Sequence, residues 1–320
     1  MTVNTFSLNK IGGRKNVEDA IMPKQFNPQD PKLFIVCDGV GGSSFGEVAS
    51  DLAVISFYET FKKQPIAKEA DFEKILHQSL AFFRQKVNEF VATNPEAANT
   101  STTLTLLTLQ NDKAYVAWCG DSRIFQLRNG KPIYKSKDHS LVAELTAQGV
   151  ITEAEAEKHP QRNIITRSLN SQTKPTDIEY AVLTDIQTND WFLLCTDGLM
   201  EQFTENLFSV VLNKYDSKTK YDDIIENICF GKTKDNYSMY LVHITAAAAT
   251  SNFKKIILPL IVVILAVGGW LAYSKFLKPT TQPVNFKVAD TIKLSIPKKD
   301  YVDKDTVKSI MIKTHDSDST

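Results

Sequence analysis

Two hydrophobic periods organise the first ~245 residues of the chain. Phe72, Ile75, Leu76, Leu80, Phe83, Val87 and Phe90 recur at three- and four-residue steps, which lines them along one face of a helix. A second long helix is predicted from about 45 to 63. Elsewhere the apolar residues come in short β-branched and aromatic runs that read as strands, at 33–37, 103–109, 114–119, 124–128, 191–195 and 239–244. NDK at 111–113 and RNGK at 128–131 read as hairpin turns, the second with the Asn-Gly pair that suits type I′ geometry. Strands joined by tight hairpins, with helices grouped together, predict an α+β fold with antiparallel sheets rather than a wound parallel sheet.

One stretch follows neither period. Residues 256–274, IILPLIVVILAVGGWLAYS, run for 19 positions without a charge between Lys254-Lys255 and Lys275. As a helix at ~1.5 Å per residue they would reach ~28 Å, about one hydrocarbon core. Trp270 and Tyr273 fall at one end, where amphipathic rings favour the interface. A single transmembrane helix is predicted there; a buried core helix is the weaker alternative, because no amphipathic partner helices follow. The expected organisation is a soluble domain at 1–245, a linker at 246–255, the span at 256–274 and a polar tail at 275–320. Lysines flank both ends of the span, so charge barely orients it. The opening MTVNTFSLNK has neither the basic start nor the apolar stretch of a signal peptide, which with reduced thiols places the first domain on the cytoplasmic side of the membrane.

Composition narrows the function classes. Lys+Arg and Asp+Glu both number 37, so no net charge draws the chain to a polyanion, and a nucleic-acid partner is not expected. Four cysteines without paired spacing in 320 residues do not make a disulfide framework. Cys37, Cys119 and Cys195 sit inside apolar runs with no activating basic neighbour, and read as small core residues rather than nucleophiles.

The candidate chemistry lies where the aspartates fall. The strand at 33–37 ends in Asp38-Gly39-Val40-Gly41-Gly42, and the one at 191–195 leads through Thr196 into Asp197-Gly198. Gly120 leads into Asp121-Ser122-Arg123, Asp235-Asn236 precede the last strand, and Glu18-Asp19 follow closely on Arg14. A carboxylate at the lip of a buried strand is costly unless its charge is compensated, and several converging carboxylates raise one another's pKa. A hard divalent cation resolves both, since Mg²⁺ and Mn²⁺ take oxygen ligands and keep several waters. Taken singly, each piece also has a plainer reading: an Asp-Gly after a strand is usually a turn, and Glu18-Asp19 would be a solvated pair. The DGVGGSSFG segment lacks the third glycine of a dinucleotide loop and the alternating Asp/Asn ligands of a calcium loop.

The order of these pieces resembles the metal-dependent type 2C serine/threonine protein phosphatases, in particular compact bacterial members. The resemblance rests on RKNVED (14–19), VCDGVGG (36–42), STTLTLL (101–107), GDSRIF (120–125), DHSLVAEL (138–145), RNIITRSL (162–169), LLCTDGL (193–199) and DNYSMYLV (235–242). These motifs cover about 9–244, the whole predicted soluble part. The resemblance implies an αββα sandwich of two antiparallel sheets flanked by helices, with two Mn²⁺ or Mg²⁺ ions at one end. It implies that Asp38 bridges both ions, that the Gly39 carbonyl and Glu18 (through water) serve one, and that Asp197 and Asp235 hold the other. Asp19 stands behind these ligands, Asp121 matches the support of a weaker third metal, and Arg14 matches the arginine that grips substrate phosphate. A cation pair of this kind acidifies a shared water for in-line attack on phosphorus, with no Cys or Ser nucleophile. The implied activity is hydrolysis of phosphoserine and phosphothreonine on proteins, opposing a Ser/Thr kinase.

The departures from the family pattern spare the carboxylates. Val40 stands where many eukaryotic members carry a His that assists the leaving group, Val17 where many bacterial members have Asn, and Ser101 and Asn170 where Gly is frequent. The mixed segment 140–170 corresponds to a flap beside the site; its Arg162 and Arg167 suit either phosphoprotein contact or surface salt bridges. His139 reads as a structural residue. The rival function is a catalytically silent phosphoprotein-binding scaffold at the membrane, which would need a missing ligand.

Overall fold

The computed structural model describes residues 1–40 and 45–246, together with residues 267, 269–271 and 274. In chain order the elements are β1 (Thr2–Lys10), β2 (Asp19–Met22), β3 (Leu33–Asp38), α1 (Gly46–Lys62), α2 (Glu69–Thr93), β4 (Leu104–Gln110), β5 (Lys113–Cys119), β6 (Arg123–Arg128) and β7 (Lys131–Lys135). There follow α3 (Leu141–Ala147), α4 (Glu153–Ala156), β8 (Glu179–Leu183), β9 (Trp191–Cys195), α5 (Asp197–Met200), α6 (Glu205–Val211), α7 (Tyr221–Cys229) and β10 (Tyr237–Thr245). The strands form two five-stranded sheets, ordered β1-β10-β9-β6-β7 and β2-β3-β4-β5-β8, with every pairing antiparallel.

The expected sandwich is therefore present, and its layers explain why the central strands are apolar on both faces. In β3, Phe34 and Val36 point between the sheets to meet Leu107, Val116, Phe192 and Tyr240. The alternate residues Leu33, Ile35 and Cys37 meet Phe57 of α1 and Phe72, Leu76 and Phe83 of α2 on the outer face. On the other side, Leu193, Cys195 and Leu241 pack against Phe208 of α6 and against Tyr221 and Ile225 of α7. A strand buried on both faces reads as a continuous apolar run. All six helical-period positions from Phe72 to Val87 are buried, while Phe90 is half-buried and meets Phe45 edge-on.

Four strands go beyond the expected six, and all four lie at sheet edges. β1 carries Thr, Asn and Ser at half its positions, yet pairs with β10 along its full length, from Thr2↔Thr245 to Lys10↔Tyr237. β2, β7 and β8 are also edge strands, of four or five residues each. Such segments owe their structure to a partner rather than to local propensity. Both predicted hairpin turns have positive φ at their two central residues, Asn111 (52°) and Asp112 (56°), and Asn129 (52°) and Gly130 (70°).

The chain divides into two compact units, Met1–Ala249 and Thr250–Thr320. Of the second, Val267, Gly269, Trp270, Leu271 and Ser274 are described and helical. No helix among the described residues is long and apolar enough to cross a membrane. The predicted span at 256–274 lies outside the described residues apart from those five, as do the tail at 275–320 and all of the linker except Ala246.

Candidate metal centre

Strand register brings the acidic motifs to one end of the sandwich. β3 ends at Asp38 where β2 begins, and Asp19 and Asp38 face each other across that ladder. The adjoining ends of β4 and β5 meet through Leu104↔Cys119, just before Asp121. In the other sheet, Arg123 at the start of β6 and Met239 of β10 both pair with Cys195, the last residue of β9, so Asp197 and Asp235 emerge at the same end. Arg14, Glu18, Asp38, Gly39, Val40, Asp121, Asp197 and Asp235 line a single cavity of about 240 Å³ together with Asn163, Ile165 and Asn236. Asp19 is buried behind this lining, where it accepts a 3.0 Å hydrogen bond from the Thr196 hydroxyl through one oxygen; its other oxygen has no partner.

Backbone contacts explain the two Asp-Gly pairs. A Cβ on Gly198 would lie 1.9 Å from the Asn236 carbonyl, and one on Gly39 would lie 2.4 Å from the Gly46 carbonyl. These close approaches let Asp197 come beside Asp235, and Asp38 beside the start of α1. The Asp38 backbone is tied on both sides: its N–H donates to Thr103 Oγ1 (2.9 Å), and its carbonyl accepts from Thr103 N and Thr102 Oγ1, each at 2.8 Å. Thr103 Oγ1 also lies 2.7 Å from Ser122 Oγ, so one threonine joins the Asp38 strand to the turn that carries Asp121.

The charges do not balance. Six carboxylates gather here; among the described residues that line the cavity the one cation, Arg14, pairs with Asp235 at 2.5 Å, while Arg123, tied to Asp138, partly offsets Asp121 and Asp197. Burial first, and then neighbouring Asp19, Asp197, Asp121 and Asp235, push the Asp38 carboxyl far above its ordinary range. Burial, with the charges of Asp197 and Asp235, pushes Asp19 up to about 7. Asp121 is likewise raised to about 7 by burial and by Asp197. Asp197 and Glu18 are raised chiefly by burial as well.

Among the described residues no three acidic, His or Cys side chains close around one point as a finished cage. The carboxylates instead face one another across the cavity, with Asp235 held by Arg14. An all-oxygen donor set, an orphaned carboxylate oxygen and uncompensated negative charge fit hard divalent cations that retain water in part of their coordination sphere.

The supporting residues fall as expected or are newly visible. Cys37, Cys119, Cys195 and Cys229 are all buried, with Cys119 and Cys195 pushed up to about 12 by burial, so none offers a thiolate. The His139 ring and backbone both clasp Gly120: Nδ1 accepts from its N–H (3.2 Å), and the His139 N–H donates to its carbonyl (2.8 Å). That is a structural role, and it fixes the turn before Asp121. Arg167 pairs with Glu179 at 3.0 Å, and Arg162 donates to the Glu157 carbonyl, which realises the salt-bridge alternative for the first. Asn163 and Ile165 enter the cavity lining from the flap, and Asn236 from beside Asp235; each lay inside a recognised motif, but nothing in its local sequence marked it.

Known proteins share this architecture. The chain is 29% identical over 218 residues to the serine/threonine phosphatase stp of Listeria welshimeri, a match covering 68% of this chain and 86% of that one. The fold matches the solved S. agalactiae serine/threonine phosphatase with a TM-score of 0.66 and 27% identity, over 76% of this chain and 99% of that one. The catalytic domain of PstP, solved in complex with two manganese ions, has the same fold at a TM-score of 0.64 and 22% identity, over 77% of this chain and 99% of that one. The family model described as Protein phosphatase 2C matches residues 12–229, a stretch that contains Arg14, Glu18, Asp38, Asp121 and Asp197. With that match and this cavity, the chain belongs to the protein phosphatase 2C family.

Proposed function

We propose that the chain hydrolyses phosphoserine and phosphothreonine on proteins, using two Mn²⁺ or Mg²⁺ ions held in the carboxylate cavity. The observation that carries this reading is the gathering of six carboxylates at one end of the sandwich, where Arg14 is the one cation among the described residues that line the cavity. Asp38, Asp197, Asp235, the Gly39 carbonyl and Glu18 are the groups that would hold the ions, with Asp38 at the centre of the set. Asp121 would support a weaker third ion, and Asp19 sets the charge behind Asp38. When bound, the ions neutralise phosphoryl oxygens and lower the pKa of water. Arg14 presents its guanidinium fork at the cavity rim, suited to two oxygens of the substrate phosphate. Val40 in the lining offers no proton, so the departing serine or threonine oxygen takes its proton from solvent. The manganese pair of the PstP structure supports the choice of metal.

The silent-scaffold alternative would need a missing ligand, and the presence of Glu18, Asp38, Gly39, Asp121, Asp197 and Asp235 in the cavity lining supports the catalytic reading over it. The substrates would be phosphoproteins made by a cognate Ser/Thr kinase. We further place the protein in the membrane through a single helix at 256–274, with the phosphatase domain facing the cytoplasm; the charge-free, lysine-bracketed sequence of that stretch supports this. Phosphate release from a phosphothreonine peptide tests the activity. Release should require Mn²⁺ or Mg²⁺ and vanish in Asp235→Asn without loss of fold by circular dichroism; full activity of that variant would refute the metal assignment. Recovery of the full chain in the soluble fraction after cell lysis would refute the anchor.

A further inference from the structure

The segment carrying Arg14 and Glu18 has little of its own to hold it in place. Residues 13–17 are all exposed, including Val17, and Ile11 before them is exposed too, so no buried apolar side chain anchors the loop between β1 and β2. What holds it is polar: Gly39 N–H (3.0 Å) and Ser50 Oγ (2.5 Å) both donate to the Glu18 carbonyl, Arg14 pairs with Asp235, and the bonds that span the loop come from one residue. Asn236 is buried, and its amide Nδ2 donates to the carbonyls of Ile11 and Asn16, both at 2.8 Å. Its Oδ1 accepts from the Glu18 N–H at 2.8 Å. Three hydrogen bonds from one side chain thus span the loop from its first residue to Glu18. The backbones are in direct contact as well: a Cβ on Gly12 would lie 1.8 Å from the Asp235 carbonyl, and one on Gly13 would lie 2.8 Å from that of Lys234. The two glycines remove the side chains that would wedge the loop off residues 233–236, and Asn236 then fastens it.

We propose that Asn236 is a positioning residue that fixes Arg14 and Glu18 over the cavity, so that metal ligand Asp235 and phosphate-gripping Arg14 are held in register by one amide. The proposal rests on the phosphatase reading above. Asn236 acts through the loop; it needs no contact with substrate. Removing it takes a partner from three backbone groups, of which the Ile11 carbonyl keeps the Arg14 N–H (3.3 Å), and frees the loop to move Arg14 by an ångström or more, which weakens phosphate capture more than it slows turnover.

The test uses the full chain in Mn²⁺ with a phosphothreonine peptide, comparing Asn236→Ala, Arg14→Ala and the double variant. Asn236→Ala should raise KM about tenfold with a smaller change in kcat. In the Arg14→Ala background the same substitution should change KM less than about twofold, because the residue it acts through is gone. Hydrogen exchange in chelator supplies a readout without turnover: amides 11–18 should exchange about tenfold faster in Asn236→Ala, with β9 and β10 unchanged. Asn236→Asp fills the same space, keeps the acceptor for Glu18 N–H and loses both donors, so it carries the exchange test if the alanine variant fails to fold. Unchanged exchange in the loop, or an undiminished KM effect in the Arg14→Ala background, would overturn the proposal. If the unsubstituted chain released no phosphate, the phosphatase reading would fail, and loop exchange alone would decide the role of Asn236.

Discussion

Replacing Asp38 by Asn should stabilise the metal-free protein while abolishing its chemistry. Asp38 faces Asp19 directly across the β2/β3 ladder. Two carboxylates ~5 Å apart repel by about 3 kcal/mol at an effective dielectric near 20. The raised pKa values of both carboxyls mean that they hold part of a proton between them, which trims this to about 2 kcal/mol, or roughly 4–8 °C in melting temperature for a domain of this size. The pH dependence fixes the sign. Asp19 and Asp121 rise from the ordinary 3.8 to about 7 on folding. Between those values the folded protein binds more protons than the unfolded chain, so metal-free stability is greatest at the acid end and falls as pH rises through about 7. The gap between Asp38→Asn and the unsubstituted protein should therefore be wide at pH 8 and close near pH 4.5. Excess Mn²⁺ should reverse the order, since a ligand at a hundredfold over its Kd adds about 2.7 kcal/mol to the form that binds it. Thermal melts in chelator and in Mn²⁺, at both pH values, make the measurement. A lower melting temperature for Asp38→Asn in chelator at pH 8, or the same gap at both pH values, would refute the argument that burying and crowding carboxylates destabilises this end of the fold.

Three further outcomes follow from the same geometry. Gly198→Ala places a Cβ 1.9 Å from the Asn236 carbonyl, so it should cost about 3 kcal/mol in denaturant unfolding and weaken Mn²⁺ binding by calorimetry as Asp197 and Asp235 are pushed apart. Arg14→Ala should raise KM for phosphopeptide about tenfold while leaving the fold intact, and an unchanged KM would remove Arg14 from phosphate capture. His243 is buried with neither ring nitrogen partnered, its ring centroid 4.0 Å from that of Tyr215 and 4.4 Å from that of Trp191. Burial lowers its pKa from 6.5 to about 4, so its share of stability is present above 6.5 and is lost as pH falls through 4. His243→Phe should then flatten the acid limb of the stability profile, by about 1–3 kcal/mol at pH 4, in acid titrations followed by fluorescence.

The amino-acid sequence by itself determined a great deal here. Runs such as LFIVC and WFLLC read as strands, Asn-Gly at 129–130 as a tight turn, and the helix from Phe72 onward is written in its spacing. It also placed aspartates beside four of the predicted strands, at 38, 121, 197 and 235, because a motif is local and carries its residues with it. What it left open were the features that depend on a partner. The polar β1 is a strand because β10 offers it nine residues of ladder, and Asn163 and Ile165 reach the cavity only because the flap folds back over it. Asn236 looked like the plain neighbour of a metal ligand until its three bonds to a loop more than two hundred residues earlier came into view. The convergence itself was decided by register: Asp19 opposite Asp38 and Arg123 opposite Cys195 bring separate carboxylates to one end of the sandwich. Side-chain direction alternates at each strand residue, so a one-residue slip in either ladder would turn a carboxylate to the opposite face of its sheet. Local sequence chose the carboxylates, and long-range pairing alone brought them into one cavity.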